Sequence, residues 1–441
     1  MWNDIQIQCS DPSEIAEALI NKEVTLSVLN SVPAFAAKAN LVEEETWSMC
    51  KRDSSFQSYL NIYPDGKYAG EANAKKRAQM EEGKVQAEKE KVIKDLENDR
   101  NAYTLGYIQS LNITAADLYG KIKDSRGFVR NEVLKSWGKS PKALNMGRTP
   151  DFIPEGSTEV YFWGVPGSGK TCAMAAILSQ ASRMGYLAPR IGEGLGYMND
   201  LASVFQPQRE YPAVCLPPAS DVDTTQYLPL TLNETVEGRR GKKRIFSHNL
   251  SVIEISGEIF ECFSLELEDK PFPSTAHKET FNRLKSYLMD ETNPKYHFFM
   301  LDSKPLIDSQ QRHLQNAALY FTEKDIFNST TQGISLIVTK SDELSSDKAQ
   351  WVRCAEQAAR EYFSPLVNQL RLIVGDPADG GLGLTDGSLS VIPLSIGEVF
   401  FQSLCLFDPE PATELVKMLL EYSKVAERND WKKKIKRNLR K

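Results

Sequence analysis

Apolar and polar positions follow two rhythms along the 441-residue chain, and the change falls near residue 150. Before it the spacing is helical. Asp11 precedes Ile15, Leu19 and Ile20, which share one face of a helix that Asp11 can cap. A second helical stretch is expected from Val42 to Tyr59. The string YLNIYPDGKYAGEA at 59–72 then reads as a helix end, a Pro-Asp-Gly turn and a new helix. Residues 71–100 carry eight charges of each sign, and Lys89 and Asp99 break the stripe formed by Val85, Val92 and Leu96. A single solvated helix is expected there rather than a coiled coil. Farther on, the spacing of Leu19, Val24, Thr25 and Leu29 returns as Ile108, Ile113, Thr114 and Leu118, which suggests a second, related helical unit.

After a Pro-containing linker at 139–157 the rhythm shortens. The β-rich runs EVYFWG (159–164), YLPLTL (227–232), LSVIEIS (250–256), YHFFMLD (296–302), ISLIVT (334–339) and LSVIPLS (389–395) alternate with amphipathic helical stretches. Such alternation predicts an α/β domain with a mostly parallel sheet flanked by helices. The expected organisation is a helical module over 1–104, a second helical unit and linker over 105–150, the α/β domain over 151–427, and a basic amphipathic helix over 428–441. The run RRGKKR at 239–244, between two strand candidates, is expected at a hairpin tip.

Composition narrows the class. Hydrophobic residues make up 41% and charged residues 25%, which is globular usage and excludes disordered or collagen-like chains. Net charge is −6, yet the last eleven residues hold seven Lys or Arg, and removing those seven leaves −13 on the body. A broad nucleic-acid-binding surface is therefore not expected. The seven cysteines lack CxxC or zinc-ligand spacing, and no signal peptide or 18-residue apolar run occurs, so a reduced, cytoplasmic protein is expected. His248, His277, His297 and His313 have no sequence neighbours that form a metal or triad pattern and read as structural.

The chemistry concentrates at GVPGSGKT, 164–171, which fits GxxxxGK[ST] directly after the strand EVYFW and before the helix TCAMAAILSQA. Gly164, Gly167 and Gly169 let backbone N–H groups curl round a phosphate, at a helix N-terminus whose dipole favours anions. Lys170 supplies a point charge to the β- and γ-oxygens, and Thr171 a hydroxyl for Mg²⁺. The candidate nucleotide contacts in this loop are Gly164, Val165, Pro166, Gly167, Ser168, Gly169, Lys170, Thr171 and Cys172.

Three further strings choose among triphosphate binders. TKSD at 339–342 and SIG at 395–397 each end a strand candidate, and EISGE at 254–258 follows a third. Together with the phosphate loop they resemble the Ras-like GTPases of the TRAFAC class, over about residues 155–425, with inserts at 185–221, 261–295 and 375–387. The resemblance implies that Thr339, Lys340 and Asp342 stand for NKxD and that Asp342 accepts two N–H bonds from guanine. Ser395 and Ile396 fall in the loop that meets guanine O6. Glu254 holds Mg²⁺ through water, Gly257 meets the γ-phosphate, and Glu258 orients the attacking water. A Mg²⁺-binding threonine of switch I is Thr224 or Thr225. Glu254 and Glu258 replace the more usual Asp and Gln, and Thr339 replaces Asn. The strings are also similar to the bacterial double-GTPases of multi-gene conflict systems, and YLxxYPxGxYxxxA resembles a helix-turn-helix unit of bacterial helical-repeat proteins.

The resemblance implies a Mg-GTP switch with slow hydrolysis to GDP, read by protein partners through the switch loops and the helical module. A static nucleotide-binding scaffold and an ATPase of another P-loop branch are the alternatives. Asp302 could serve an ATPase as its metal carboxylate, although Ser303 follows it where a second acid would be needed. Trp431, Ile435 and Leu439 among the basic residues of the tail suit an acidic partner or an anionic surface.

Overall fold

The computed structural model describes residues 10–31, 38–145, 150–189, 194–218, 226–237, 242–304, 308–324, 326–376, 378, 381–384 and 389–439. The side chains of 189, 308–310 and 425–439 are outside that description. The chain divides into two compact units, Met1–Lys94 and Asp95–Lys441.

The first unit contains α1 (Pro12–Ile20), α2 (Leu26–Asn30), α3 (Ala39–Arg52), α4 (Phe56–Ile62) and most of α5 (Ala69–Asn98). Asp11 caps α1 as its position suggests, accepting from the N–H groups of Ser13 and Glu14 while Glu14 returns a bond to the Asp11 N–H. The single helix expected over 42–59 is two, because Ser54 adopts a positive φ of 55° between α3 and α4. Trp47 stacks on Tyr68 and meets the edge of Tyr59, joining the two ends of the YPDG turn in one core. Residues 71–98 are one continuous helix, as the balanced charge pattern predicts.

The second unit opens differently from expectation. Residues 105–145 hold only α6 (Leu105–Ser110) and a 3₁₀ turn at Asn131–Ser136, and they are anchored to the α/β fold. Leu105 N–H donates to Phe401 O, and Ser136 Oγ donates to Ala213 O while accepting from the Ala213 N–H. The helical rhythm read there reflects apolar anchors such as Ile108, Ile113 and Leu118, which are buried without forming a helical pair.

The α/β elements follow as β1 (Thr158–Trp163), α7 (Lys170–Arg183), β2 (Leu187–Pro189), α8 (Leu195–Val204), β3 (Val214–Cys215), β4 (Gln226–Glu237) and β5 (Lys243–Glu254). Then come α9 (Gly257–Leu267), α10 (Thr275–Met289), β6 (Lys295–Asp302), α11 (Asp308–Glu323) and β7 (Thr331–Thr339). The unit closes with α12 (Trp351–Tyr362), α13 (Ser364–Val374), β8 (Ser390–Pro393), β9 (Gly397–Phe400), β10 (Leu404–Phe407) and α14 (Pro409–Leu439). A seven-stranded sheet has the order β2-β4-β5-β1-β6-β7-β8. The pairs β5–β1, β1–β6, β6–β7 and β7–β8 are parallel, whereas β2–β4 and the β4–β5 ribbon are antiparallel. A smaller sheet, β3-β10-β9, lies outside it in the order of pairing.

Both faces of the large sheet are covered, so β1 and β6 are buried along their whole length and mostly apolar. Val160 and Phe162 point to the side of α7, α8 and α14, in a cluster with Ile177, Leu201 and Val416. Tyr161 and Trp163 point to the other side, with Phe260, Phe281, Tyr320 and Leu370 from α9, α10, α11 and α13. The buried Lys295–Glu159 pair, at 3.4 Å, joins β6 to β1, and Asn293 and Tyr161 donate further bonds to the carboxylate. The antiparallel β4–β5 ribbon pairs as far as Glu237 and Lys243; the hairpin tip expected of RRGKKR falls largely on 238–241, which lie outside the described residues. The tail expected as a separate helix from 428 continues α14 without a break. Among the described residues no helix is long and apolar enough to cross a membrane.

Candidate functional site

The parallel order of β5, β1, β6, β7 and β8 sends the carboxyl ends of five strands to one edge of the sheet. The connection from β1 runs toward β2 and that from β6 toward β7, on opposite sides of the sheet order, and ligands of open α/β folds bind in the crevice at such a switch point. The phosphate loop, EISGE, TKSD, SIG and Asp302 all emerge there. The phosphate loop follows β1, EISGE follows β5, Asp302 ends β6, TKSD follows β7 and SIG follows β8.

The loop after β1 has the backbone its sequence calls for. Gly167 and Gly169 have φ of 78° and 86°, a region that a side chain strongly disfavours, and Gly169 is the N-cap of α7. Lys170 is buried, and its Nζ donates to Gly164 O at 2.7 Å and Val165 O at 2.9 Å, closing the loop into a ring. Burial lowers the Lys170 pKa to about 8, opposed by the charges of Glu254 and Glu261. A buried ammonium curled back on carbonyls is poised for a stronger acceptor, and a phosphate oxygen is one. Ser168 Oγ is buried with no hydrogen-bond partner among the described residues, a second polar atom in the loop left for a ligand.

On one side of the loop is a cavity of about 300 Å³ walled by Lys170, Thr171, Pro217, Gly257 and Glu258. Thr171 Oγ1 donates to Glu254, whose other carboxylate oxygen accepts from Tyr197 OH at 2.5 Å. Glu254 is only 1% exposed, at the last position of β5. Gly257 opens α9 against Pro166, where a Cβ would lie 2.3 Å from the Pro166 nitrogen, so only glycine lets these two loops meet. Among the described residues no cluster of three His, Cys, Asp or Glu is arranged for a metal. The oxygen set Thr171–Glu254 beside a phosphate loop fits a hard cation that takes its remaining ligands from water and substrate phosphate, as Mg²⁺ does. Thr224 and Thr225 lie outside the described residues.

On the other side is a cavity of about 460 Å³, lined by Gly167, Gly169, Cys172, Lys340, Asp342 and the apolar Leu216, Leu394, Ile396 and Val399. Gly167, Gly169 and Cys172 border both cavities. Asp342 stands in this wall with its carboxyl pKa raised by burial, against a lowering bond from Ser395. Ser395 is buried and its Oγ also accepts from the Gly397 N–H. Lys340, at a positive φ of 54°, pairs with Asp302 at 2.5 Å, so the β6 carboxylate serves as its anchor. Thr339 borders the cavity, and its hydroxyl is shared between Ser168 O at 3.0 Å and Leu301 O at 3.1 Å. It therefore ties the phosphate loop to β6.

Some residues of this site have no signature in the sequence. Arg100 and Asn101 line the larger cavity, holding Val399 O at 2.8 and 3.0 Å, and Asn101 Oδ1 accepts from the Gln402 N–H. They reach the site across nearly 300 positions, a separation that no local pattern reveals. His277, read from sequence as structural, lies 3.6 Å from Glu258 across an insert.

No family model and no curated protein matches the chain. Among solved structures, a crystal structure of nucleolar GTP-binding protein 1 from Plasmodium falciparum is similar over 64% of this chain and 97% of its own, at 13% identity and a TM-score of 0.23. A likeness that low carries no argument, and function rests on the site itself.

Proposed function

We propose that the chain binds Mg-GTP across the phosphate loop, with phosphates and metal on the Thr171–Glu254 side and guanine on the Asp342 side, and hydrolyses it slowly to GDP and phosphate. The observation that carries this reading is the pair of cavities meeting at Gly167, Gly169 and Cys172, one edged by the Lys170–Thr171–Glu254 group and the other by a half-desolvated carboxylate. A nucleotide has that shape: an anionic end, a turn, and a flat base with a polar edge.

Lys170 would exchange its two carbonyls for β- and γ-oxygens, and the loop N–H groups would hold the same phosphates. Thr171 and Glu254 would hold Mg²⁺, Glu254 through water, and the ion supplies neutralisation of charge on the phosphates. Asp342 would accept from the N1 and N2 donors of guanine, which adenine lacks. Among the described residues no Arg lines the phosphate-side cavity, so turnover should be on the order of 10⁻⁴ to 10⁻² per second without a partner. The loops at 254–258 and 339–342 would differ between GTP and GDP states and so report the nucleotide to a partner.

Phosphate release from GTP and from ATP, with and without Mg²⁺, tests the assignment. Slow, Mg²⁺-dependent release from GTP alone is expected. Release from ATP at an equal rate, or several turnovers per second by the chain alone, would contradict it.

A further inference from the structure

Glu258 is the second residue of α9, its N–H held by the cap residue Ser256, and its side chain borders the phosphate-side cavity. With its side chain 43% exposed, the carboxylate has room to rotate into solvent. Beside it stands His277, whose side chain is only 9% exposed, with Nε2 at 3.6 Å from Glu258 Oε2. The ring is fixed from behind: Nδ1 lies 2.7 Å from Ser274 Oγ, and Ser274 caps α10 by accepting from the His277 N–H at 3.3 Å. A serine that already accepts from the backbone is suited to donate to Nδ1, which leaves the ring proton on Nε2, toward Glu258. A separation of 3.6 Å is just longer than a hydrogen bond, and catalytic contacts commonly tighten only when substrate is bound.

We propose that His277 is a positioning residue for hydrolysis: through Nε2 it holds the Glu258 carboxylate toward the phosphate-side cavity, where that carboxylate orients the attacking water. This rests on the triphosphate site proposed above and adds the group that makes Glu258 productive. In the step itself, the water oxygen bonds to the γ-phosphorus as the bond from that phosphorus to the bridging oxygen breaks. The electron pair of the broken bond stays on the diphosphate. One water proton passes to Glu258 and on to an oxygen of the released phosphate, so triphosphate and water give diphosphate and inorganic phosphate with nothing left over. His277 keeps its proton throughout and never touches the nucleotide. Fixing a half-exposed side chain before the reaction lowers the orientational cost of the transition state, not of binding.

The test is single-turnover hydrolysis of γ-labelled GTP by the full chain, with nucleotide affinity and melting temperature measured on the same preparations. Glu258→Ala should slow hydrolysis on the order of a hundredfold. His277→Ala should slow it about tenfold, the scale of coupling between touching residues, with affinity unchanged. The double variant should be no slower than Glu258→Ala, because His277 acts only through that carboxylate. His277→Gln, which keeps an N–H donor, should recover most of the loss and serves if the alanine variant does not fold. Losses that multiply in the double variant, or a His277→Gln rate no better than that of a folded His277→Ala, would overturn the inference. Wild type that binds GTP without turnover overturns it as well and leaves the binding site standing, whereas failure to bind GTP at all refutes the site.

Discussion

At the scale of single residues, the site consists of polar groups held in states that a ligand would improve. Lys170 is the clearest. Its folded pKa of about 8 lies below the ordinary lysine value of 10.5, so the ligand-free fold disfavours its charge. Between those two pH values the unfolded chain binds more protons than the folded one, and stability gained through this group rises with pH. Lys170→Met removes the buried ammonium. The variant's stability advantage should be full below pH 8 and shrink as pH rises toward 10.5, as read by urea unfolding of both proteins without nucleotide; an advantage independent of pH would contradict it. The same variant should show no melting shift with saturating Mg-GTP, because the charge proposed to meet the phosphates is gone. Thr339 shows what a single position can hide. In sequence it stands where the resemblance implies an Asn, and in the fold its hydroxyl still joins the phosphate loop to β6, so a shorter side chain makes the structural link between the two halves of the site.

At the scale of elements, legibility follows distance along the chain. The phosphate loop is readable because its glycines, Lys170 and Thr171 lie within eight positions that one strand-to-helix turn determines. The five longer strands β1, β4, β5, β6 and β7 are readable because each carries a buried, β-rich stretch, and β8, only four residues long, lies inside the run LSVIPLS, whereas β2, β3, β9 and β10 span two to four residues and leave no period to detect. The stretch 105–145 shows the opposite error, an apolar spacing that suits a helix but serves irregular chain pinned to a sheet. The strand-end loops order themselves on long-range bonds that the sequence does not announce, and the turn from β9 to β10 is the case in point. Phe401 and Gln402 both take positive φ there, and Asn101 holds the turn through Val399 O and the Gln402 N–H. Asn101→Ala leaves the Gln402 N–H without its acceptor and Val399 O with Arg100 as its remaining side-chain donor, at a cost of about 1 kcal/mol for each lost bond. It should weaken nucleotide binding about tenfold by fluorescence titration while leaving hydrolysis of bound GTP unchanged. Unaltered affinity would show that this turn does not shape the larger cavity.

At the scale of the whole molecule, the division at Lys94 and Asp95 makes a claim about which part carries the chemistry. Residues 95–150 supply Arg100, Asn101, the Ser125 bond to Glu398 and the Asn145 bonds to Asp200, all within the second unit. A fragment of residues 95–441 should therefore be soluble and bind nucleotide as the full chain does, whereas 150–441 should be unstable or fail to bind; equal binding by both would move the boundary to 150. The central claim concerns the base, and it rests on Asp342. Facing adenine, a half-buried carboxylate loses two N–H donors and meets an acceptor, a penalty of roughly 3 kcal/mol or about a hundredfold in affinity. Xanthine presents a carbonyl where guanine has its amino group, and an asparagine amide can donate to it. The decisive measurement is competition of labelled GTP by unlabelled GTP, ATP and xanthosine triphosphate on wild type and Asp342→Asn. The account predicts that GTP displaces the label from wild type about a hundredfold better than ATP, and that Asp342→Asn moves the preference toward xanthosine triphosphate. Equal displacement by ATP and GTP at the wild type would contradict it.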